Sequence, residues 1–136
     1  MDAAEVAHRW VELYNDVEPG TYGSDRFLEL YADDVRWREA PTTLLPQGRA
    51  GGLTALREAV AFGASVFVDR HVELKELMAD HDHAAMRCTW SATTAVDLGP
   101  DAPPPGTRLT VELASFMRVA DGKIVEITEI PSAPTQ

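Results

Sequence analysis

Apolar residues recur at helical spacing near the start of the chain and again before its midpoint. The first stripe consists of Val6, Trp10, Leu13, Tyr14 and Val17, at i, i+4, i+7, i+8 and i+11. This spacing predicts an amphipathic helix that ends before Pro19-Gly20. A short second helix is predicted over 25–31, with Ser24 as its N-cap, and a third over 53–67.

Between the second and third helices the period changes from helical to alternating. Residues 35–39 alternate, which predicts a strand, with Val35, Trp37 and Glu39 on one face and two arginines on the other. The apolar members identify the first face as the buried one. The pattern therefore places the carboxylate of Glu39 on a face that turns toward the core.

The second half of the chain is rich in strand patterns. Strands are predicted over 70–79, 83–96, 108–119 and 123–130, with a proline-rich loop over 97–107. Helices early and strands late indicate an α+β layer, in which the helices cover one face of a curved antiparallel sheet. Such a cone has an open mouth that suits a small-molecule pocket.

Length and charge narrow the function classes. The 136 residues correspond to one domain spanning 1–136, and the net charge of −10 argues against nucleic acids and anionic membranes as partners. The start of the chain lacks the pattern of a secretory signal, and no apolar run is long enough to span a membrane, so we expect a cytoplasmic protein. The chain has one cysteine and no cluster of metal-ligating residues, so we expect no metal and no other cofactor.

Three segments together carry a resemblance to a known family. They are "RFLELYADDVRWREAP" at 26–41, "PQGRAGGLTALREAV" at 46–60 and "LASFMRVADGKIVEITEI" at 113–130. In this order they resemble the nuclear transport factor 2-like (NTF2-like) superfamily, and within it the SnoaL-like polyketide cyclases and the ketosteroid isomerases. The resemblance implies a cone in which three helices wrap one face of the sheet. The fold hosts isomerases, cyclases, dehydratases, epoxide hydrolases and non-catalytic binders.

Glu39 is the first catalytic candidate that the resemblance implies. Ketosteroid isomerases carry a proton-shuttling carboxylate at the end of the first strand, just before a proline, and Glu39 lies two residues before Pro41. Such a base needs an environment poor in water, which raises its pKa. The residues expected to supply that environment are Trp37, Leu44 and Leu45. In the alternative interpretation Glu39 sits at the rim and pairs with Arg38 or Arg49.

Tyr14 and Ser115 are the candidates for stabilising an oxyanion. Tyr14 lies on the inward stripe of the first helix, where isomerases of this superfamily carry an oxyanion-binding tyrosine; the alternative is a core aromatic residue. Two residues before Met117-Arg118, the isomerases carry a protonated aspartate, as the known ketosteroid isomerase mechanism requires. This chain has Ser115 there, a shorter and weaker donor, which argues against true ketosteroid isomerase activity.

Further residues are expected to contact a ligand. They are Trp37, Met86, Cys88, Trp90, Leu113, Met117 and Glu129. The apolar ones form stripes that would build a pocket wall or, alternatively, a filled core. Among the late-strand carboxylates Glu112, Glu126 and Glu129, the last lies nearest the expected mouth.

Two other chemistries find less support in the sequence. Epoxide hydrolases of this superfamily need Arg-x-Asp on an inner strand, and the chain has Arg87-Cys88-Thr89 instead. His81 and His83 flank Asp82 in a predicted turn, but no third ligand is evident, so we expect a solvated turn and no metal.

Two hypotheses therefore remain for the function. The first is a cofactor-free enzyme that isomerises, cyclises or dehydrates a small carbonyl compound by acid–base catalysis. The second is a non-catalytic binding or assembly module. An empty cavity lined by both Glu39 and Tyr14 would favour the enzyme. A homodimer through the outer sheet face is also expected, using Phe116 and Ile124 or Ile127.

Overall fold

The computed structural model describes residues 1–16, 22, 24–43 and 45–136. Helix α1 spans Ala3–Tyr14, α2 Asp25–Leu28 and α3 Leu53–Val66. The strands are β1 Tyr31–Glu39, β2 Arg49–Gly51, β3 Phe67–Ala79, β4 His83–Thr94, β5 Arg108–Ala120 and β6 Lys123–Pro131. Val17, Pro19, Gly20 and Leu44, which the sequence analysis used, lie outside the described residues.

The strands form one sheet in the order β2-β1-β6-β5-β4-β3. Within the described residues β1 pairs in parallel with β6, and the other pairings are antiparallel. The sheet is therefore mixed, which the local patterns did not reveal, because the parallel partners are far apart in sequence. The pairing brings the ends of β1 and β6 side by side, with Glu39 opposite Glu129.

Helix α1 is capped at its first turn and anchored to the sheet at its end. The Asp2 side chain accepts a hydrogen bond from the backbone N–H of Glu5 (2.9 Å) and caps the first turn. At the other end, the Asn15 amide exchanges two 2.7 Å hydrogen bonds with the backbone of Val72 in β3. The apolar stripe of α1, including Trp10 and Tyr14, is thereby held against the inner face of the sheet.

The predicted elements differ from the observed ones mainly at α2. The helix expected over 25–31 ends at Leu28, and Tyr31 begins β1 instead. The backbone carbonyl of Leu30 accepts a hydrogen bond from the N–H of Ile124, and Tyr31 pairs with Ile124 in β6. Pairing with a distant strand thus overrides the local helical pattern.

The faces of the sheet differ in polarity. Alternate residues of β5, from Leu109 to Val119, are buried beneath the helices. On the outer face Phe116 is 49% exposed, as expected, but Ile124 and Ile127 are buried in the core. The prediction that these two isoleucines face outward is wrong, because both lie on the helix-covered side of β6. No helix among the described residues is long and apolar enough to cross a membrane.

Candidate active site

A cavity of about 450 Å³ opens between the inner face of the sheet, helix α3 and the loop over 97–107. Both Tyr14 and Glu39 line it, together with Glu129 at the end of β6. Most of the other lining side chains are apolar, including Val66, Leu109 and Val111. The cavity therefore offers a largely apolar ligand a small number of polar contacts.

Glu39 forms an ion pair inside this cavity. Its carboxylate oxygens accept hydrogen bonds from Nη2 of Arg49 at 3.0 and 3.1 Å and from Nε at 3.3 Å. The Glu39 side chain is 15% exposed, and the guanidinium also packs over the Trp37 ring, with its Cζ 5.3 Å from the centroid. Because Arg49 contacts both carboxylate oxygens, the Glu39 side chain is held in a bidentate ion pair.

Glu129 lies opposite Glu39 on the neighbouring strand, in a different environment. Its Oε1 accepts a hydrogen bond from Nε1 of Trp37 at 3.2 Å. Burial, followed by the charge of Glu39, raises the pKa of Glu129 to about 7, although the Trp37 hydrogen bond and the charge of Arg49 oppose the shift. Glu129 is half-buried and lines the cavity, where a carboxyl with this pKa could exchange a proton with a ligand near neutral pH.

Tyr14 is held by a hydrogen-bond network at the C-terminal end of α1. Its hydroxyl accepts a hydrogen bond from Nε1 of Trp90 at 2.6 Å and shares another with the hydroxyl of Tyr22. Burial raises the pKa of Tyr14 well above its usual value, so the hydroxyl keeps its proton. A protonated phenol at a cavity wall can donate to an oxygen that gains negative charge.

Ser115 is placed differently from the sequence-based expectation. It is fully buried and lies between Met86 of β4 and Glu129 of β6 in the strand pairing. It is not part of the cavity lining, and its Oγ has no hydrogen-bond partner among the described residues. Ser115 therefore lies outside the cavity lining, and its role as an oxyanion donor stays a prediction.

The predicted ligand contacts divide into two groups. Trp90, Leu113 and Glu129 line the cavity. The other predicted contacts, Trp37, Met86, Cys88 and Met117, belong to the packed core. Alternation assigned all of these to the inner face, but α1 covers part of that face and leaves only the remainder open. Leu45 also lines the cavity, as expected, whereas Leu44 is outside the described residues.

The sequence analysis did not single out Tyr22 or Arg70, which extend the aromatic cluster around Tyr14. Tyr22 packs on Tyr14 with ring centroids 4.6 Å apart, and the guanidinium of Arg70 lies 4.1 Å from the Tyr22 centroid. Burial raises the pKa of Tyr22 to about 12, and the charge of Arg70 acts in the opposite direction.

The backbone of β3 is irregular at Asp69. This residue has a φ of 51° beside a shift in the β3–β4 pairing, which a periodic sequence pattern cannot predict.

Comparisons with known proteins agree with this architecture. The family described as "SnoaL-like domain" matches residues 7–127, whereas no curated protein sequence matches the chain. IdmH from Streptomyces antibioticus, a proposed polyketide cyclase, shares 23% identity over 94% of this chain and 90% of its own, with a TM-score of 0.74.

Two further solved structures are similar at comparable distance. A SnoaL-like polyketide cyclase from Agrobacterium tumefaciens shares 16% identity over 96% of this chain and 91% of its own, with a TM-score of 0.72. AclR from Streptomyces galilaeus, a proposed hydroxylase, shares 21% identity over 94% and 77%, with a TM-score of 0.73. At these identities the structures show a common fold alone. With the domain match covering most of its length, the chain belongs to the SnoaL-like domain family, and its fold is the NTF2-like α+β cone.

Proposed function

We propose that this protein is a small-molecule enzyme of the isomerase or cyclase type that moves a proton on a carbonyl-containing, mostly apolar substrate, with Glu129 as the base. The observation that carries the proposal is the placement of the Glu129 carboxyl in the wall of an apolar cavity, opposite a second carboxylate. With a pKa near 7, both of its protonation states are populated at neutral pH. A group in that condition can accept a proton and return it in one catalytic cycle.

The proposed chemistry begins at the carbon next to a carbonyl. Glu129 takes a proton from that carbon, and the C–H electron pair moves into a new C=C bond while the carbonyl oxygen becomes an enolate. The Tyr14 hydroxyl turns its one proton from Tyr22 to this oxygen and donates a hydrogen bond to it, while the Trp90 N–H continues to donate to the Tyr14 oxygen. The enolate then either takes the proton back from Glu129 at another carbon or attacks a second carbonyl to close a ring. In the second case the new C–C bond leaves an alkoxide, and the proton held by Glu129 passes to that alkoxide.

Glu39 and Arg49 act on this chemistry through Glu129. Glu39 was the expected base, but its oxygens are occupied by Arg49. We assign it instead to raising the pKa of Glu129 by repulsion, an effect that Arg49 limits. The names of two similar structures, a proposed polyketide cyclase and a SnoaL-like polyketide cyclase, fit a reaction at a carbonyl-activated carbon.

A non-catalytic binding module is the second candidate. The ion pair between Glu39 and Arg49 favours it, because it removes the carboxylate that the ketosteroid isomerase resemblance implies as the base. The open cavity shared by Tyr14 and Glu39 favours the enzyme. A ligand that binds in the cavity without any proton transfer would distinguish a binding module from an enzyme.

Exchange of carbon-bound hydrogen tests the proposal without knowledge of the natural substrate. We would incubate 2-tetralone, an apolar ketone with acidic C–H bonds, with the protein in D₂O and follow deuterium incorporation by NMR. The expected result is exchange roughly 100-fold or more above the buffer rate, lost in Glu129→Gln. Glu126→Gln is the matched control, since Glu126 lies on the same strand and pairs with Arg118. Binding of the ketone without exchange in the wild type would reject the catalytic proposal and support the binding module.

A further inference from the structure

The cavity wall carries more negative than positive side chains. Among the described residues, the charged side chains that line it are Glu39, Arg49, Asp101 and Glu129. The bidentate contact between Glu39 and Arg49 cancels one pair of charges. This leaves two acidic residues, Asp101 and Glu129, with no further basic side chain among the described lining residues to balance them.

Asp101 is available to a ligand. It lies in the loop over 97–107, which forms part of the cavity wall through Leu98 and Ala102 as well. The side chain is exposed, and within the described part of the chain it forms neither a hydrogen bond nor an ion pair. Its charge therefore faces solvent and the cavity without a protein partner.

The same cavity is lined by aromatic rings that favour a cation over an anion. The five are Trp10, Tyr14, Phe62, Phe67 and Trp90. Faces of such rings attract ammonium groups. The two indole N–H groups are already engaged, since Trp10 donates to the Tyr31 hydroxyl at 2.9 Å and Trp90 donates to Tyr14 at 2.6 Å. An anionic ligand would thus meet repelling charges and find these two donors occupied.

We propose that the cavity selects ligands that carry a protonated amine on an apolar body over the same body carrying a carboxylate, and that Asp101 pairs with the ammonium group. This inference rests on the proposed function, because it specifies the substrate class of the same cavity. With Asp101 holding the amine near the rim, Glu129 stays free to take a proton from the ligand's carbon.

Calorimetric binding of three ligands that share a naphthalene ring tests the inference. They are 2-naphthylmethylamine, 2-naphthalenemethanol and 2-naphthoate, measured at about pH 8, where the amine is charged and the carboxylate ionised. We expect the amine to bind roughly tenfold or more tightly than the alcohol, and the carboxylate most weakly. Added salt should weaken amine binding and leave alcohol binding unchanged.

Two variants that each remove one negative charge test whether Asp101 is responsible for the preference for the amine. Asp101→Asn should weaken amine binding by roughly fivefold or more without changing alcohol binding. Asp34→Asn is the control, because Asp34 is exposed on β1 and does not line the cavity. Equal or tighter binding of the alcohol or the carboxylate would overturn the inference. So would an effect of Asp101→Asn no larger than that of Asp34→Asn.

The outcome is independent of turnover. Amine selectivity is measured by binding alone, so it can hold or fail whether or not 2-tetralone exchanges deuterium. Failure of the exchange assay would reject Glu129 as the base and leave the charge preference to be decided by calorimetry.

Discussion

Glu39 and Glu129 lie opposite each other on the parallel strands β1 and β6, and of the two only Glu39 forms an ion pair among the described residues. The two carboxyls share one cavity but differ in surroundings: Arg49 holds the first, whereas Trp37 donates one hydrogen bond to the second. This asymmetry separates their roles. In the proposed mechanism Glu39 acts through its ion pair with Arg49, and Glu129, whose pKa is raised to about 7, is the base.

Neutral substitutions of the ion pair should move the pH dependence of proton transfer in opposite directions. Glu39→Gln removes the charge that raises the pKa of Glu129, so the midpoint of the rate–pH curve should fall. Arg49→Gln removes a charge that lowers this pKa, so the midpoint should rise. Deuterium exchange into 2-tetralone across the pH range measures both. Shifts of the same sign, or no shift, would contradict the assigned coupling.

Glu129 should also make stability depend on pH. Its pKa is near 7 in the fold and near 4.5 in the unfolded chain, so the folded state binds the proton more tightly. The free energy of unfolding should therefore decrease as pH rises from about 4.5 to about 7, by about 3 kcal/mol at most. Chemical denaturation should show Glu129→Gln more stable than the wild type above this window and similar to it below. Glu126→Gln serves as control, and equal pH profiles for all three proteins would refute the raised pKa.

Tyr14→Phe should lower turnover and stability together. Loss of the hydroxyl removes the oxyanion donor, which is expected to reduce kcat roughly 100-fold. It also leaves the Trp90 N–H without its acceptor, at about 1–3 kcal/mol of stability. Tyr31→Phe is the matched control, because it strips the acceptor from Trp10 in the same way but Tyr31 does not line the cavity. Equal turnover in the two variants would argue against a catalytic hydroxyl at Tyr14.

Ser115→Ala should leave turnover unchanged within about twofold and keep or raise the melting temperature. The Ser115 Oγ is buried without a hydrogen-bond partner among the described residues, and removing such an unsatisfied group is neutral or stabilising. Steady-state kinetics and thermal unfolding measure the two effects. A large loss of kcat would support Ser115 as an oxyanion donor.

Much of the fold follows from periodicity, and the candidate site follows in part. Alternation in β1 placed Glu39 on the inner face, and the helical stripe placed Tyr14 there, because both depend only on neighbouring positions. The parallel pairing of β1 with β6, which sets Glu129 against Glu39, joins segments about ninety residues apart in this sequence. A pattern within one segment cannot show which distant segment it pairs with, so the charge environment of Glu129 could not be predicted from the sequence.

The sequence also could not show which inner-face residues line the cavity and which are packed in the core. Cys88 and Trp90 share one face of β4, yet Cys88 is buried in the core and Trp90 reaches the cavity. The difference depends on where α1 ends over the sheet. The short strand β2, which carries Arg49, lies in a region whose prolines and glycines indicated only a loop.

The pKa of the Glu129 carboxyl is the most direct test of its proposed role as the base. Carbon-13 NMR of glutamate-labelled protein follows the side-chain carboxyl carbon during a pH titration, and the resonance missing in Glu129→Gln assigns the signal. We predict a midpoint near 7 for Glu129. A midpoint in the ordinary range of a solvated glutamate, about 4 to 5, would contradict its role as the base.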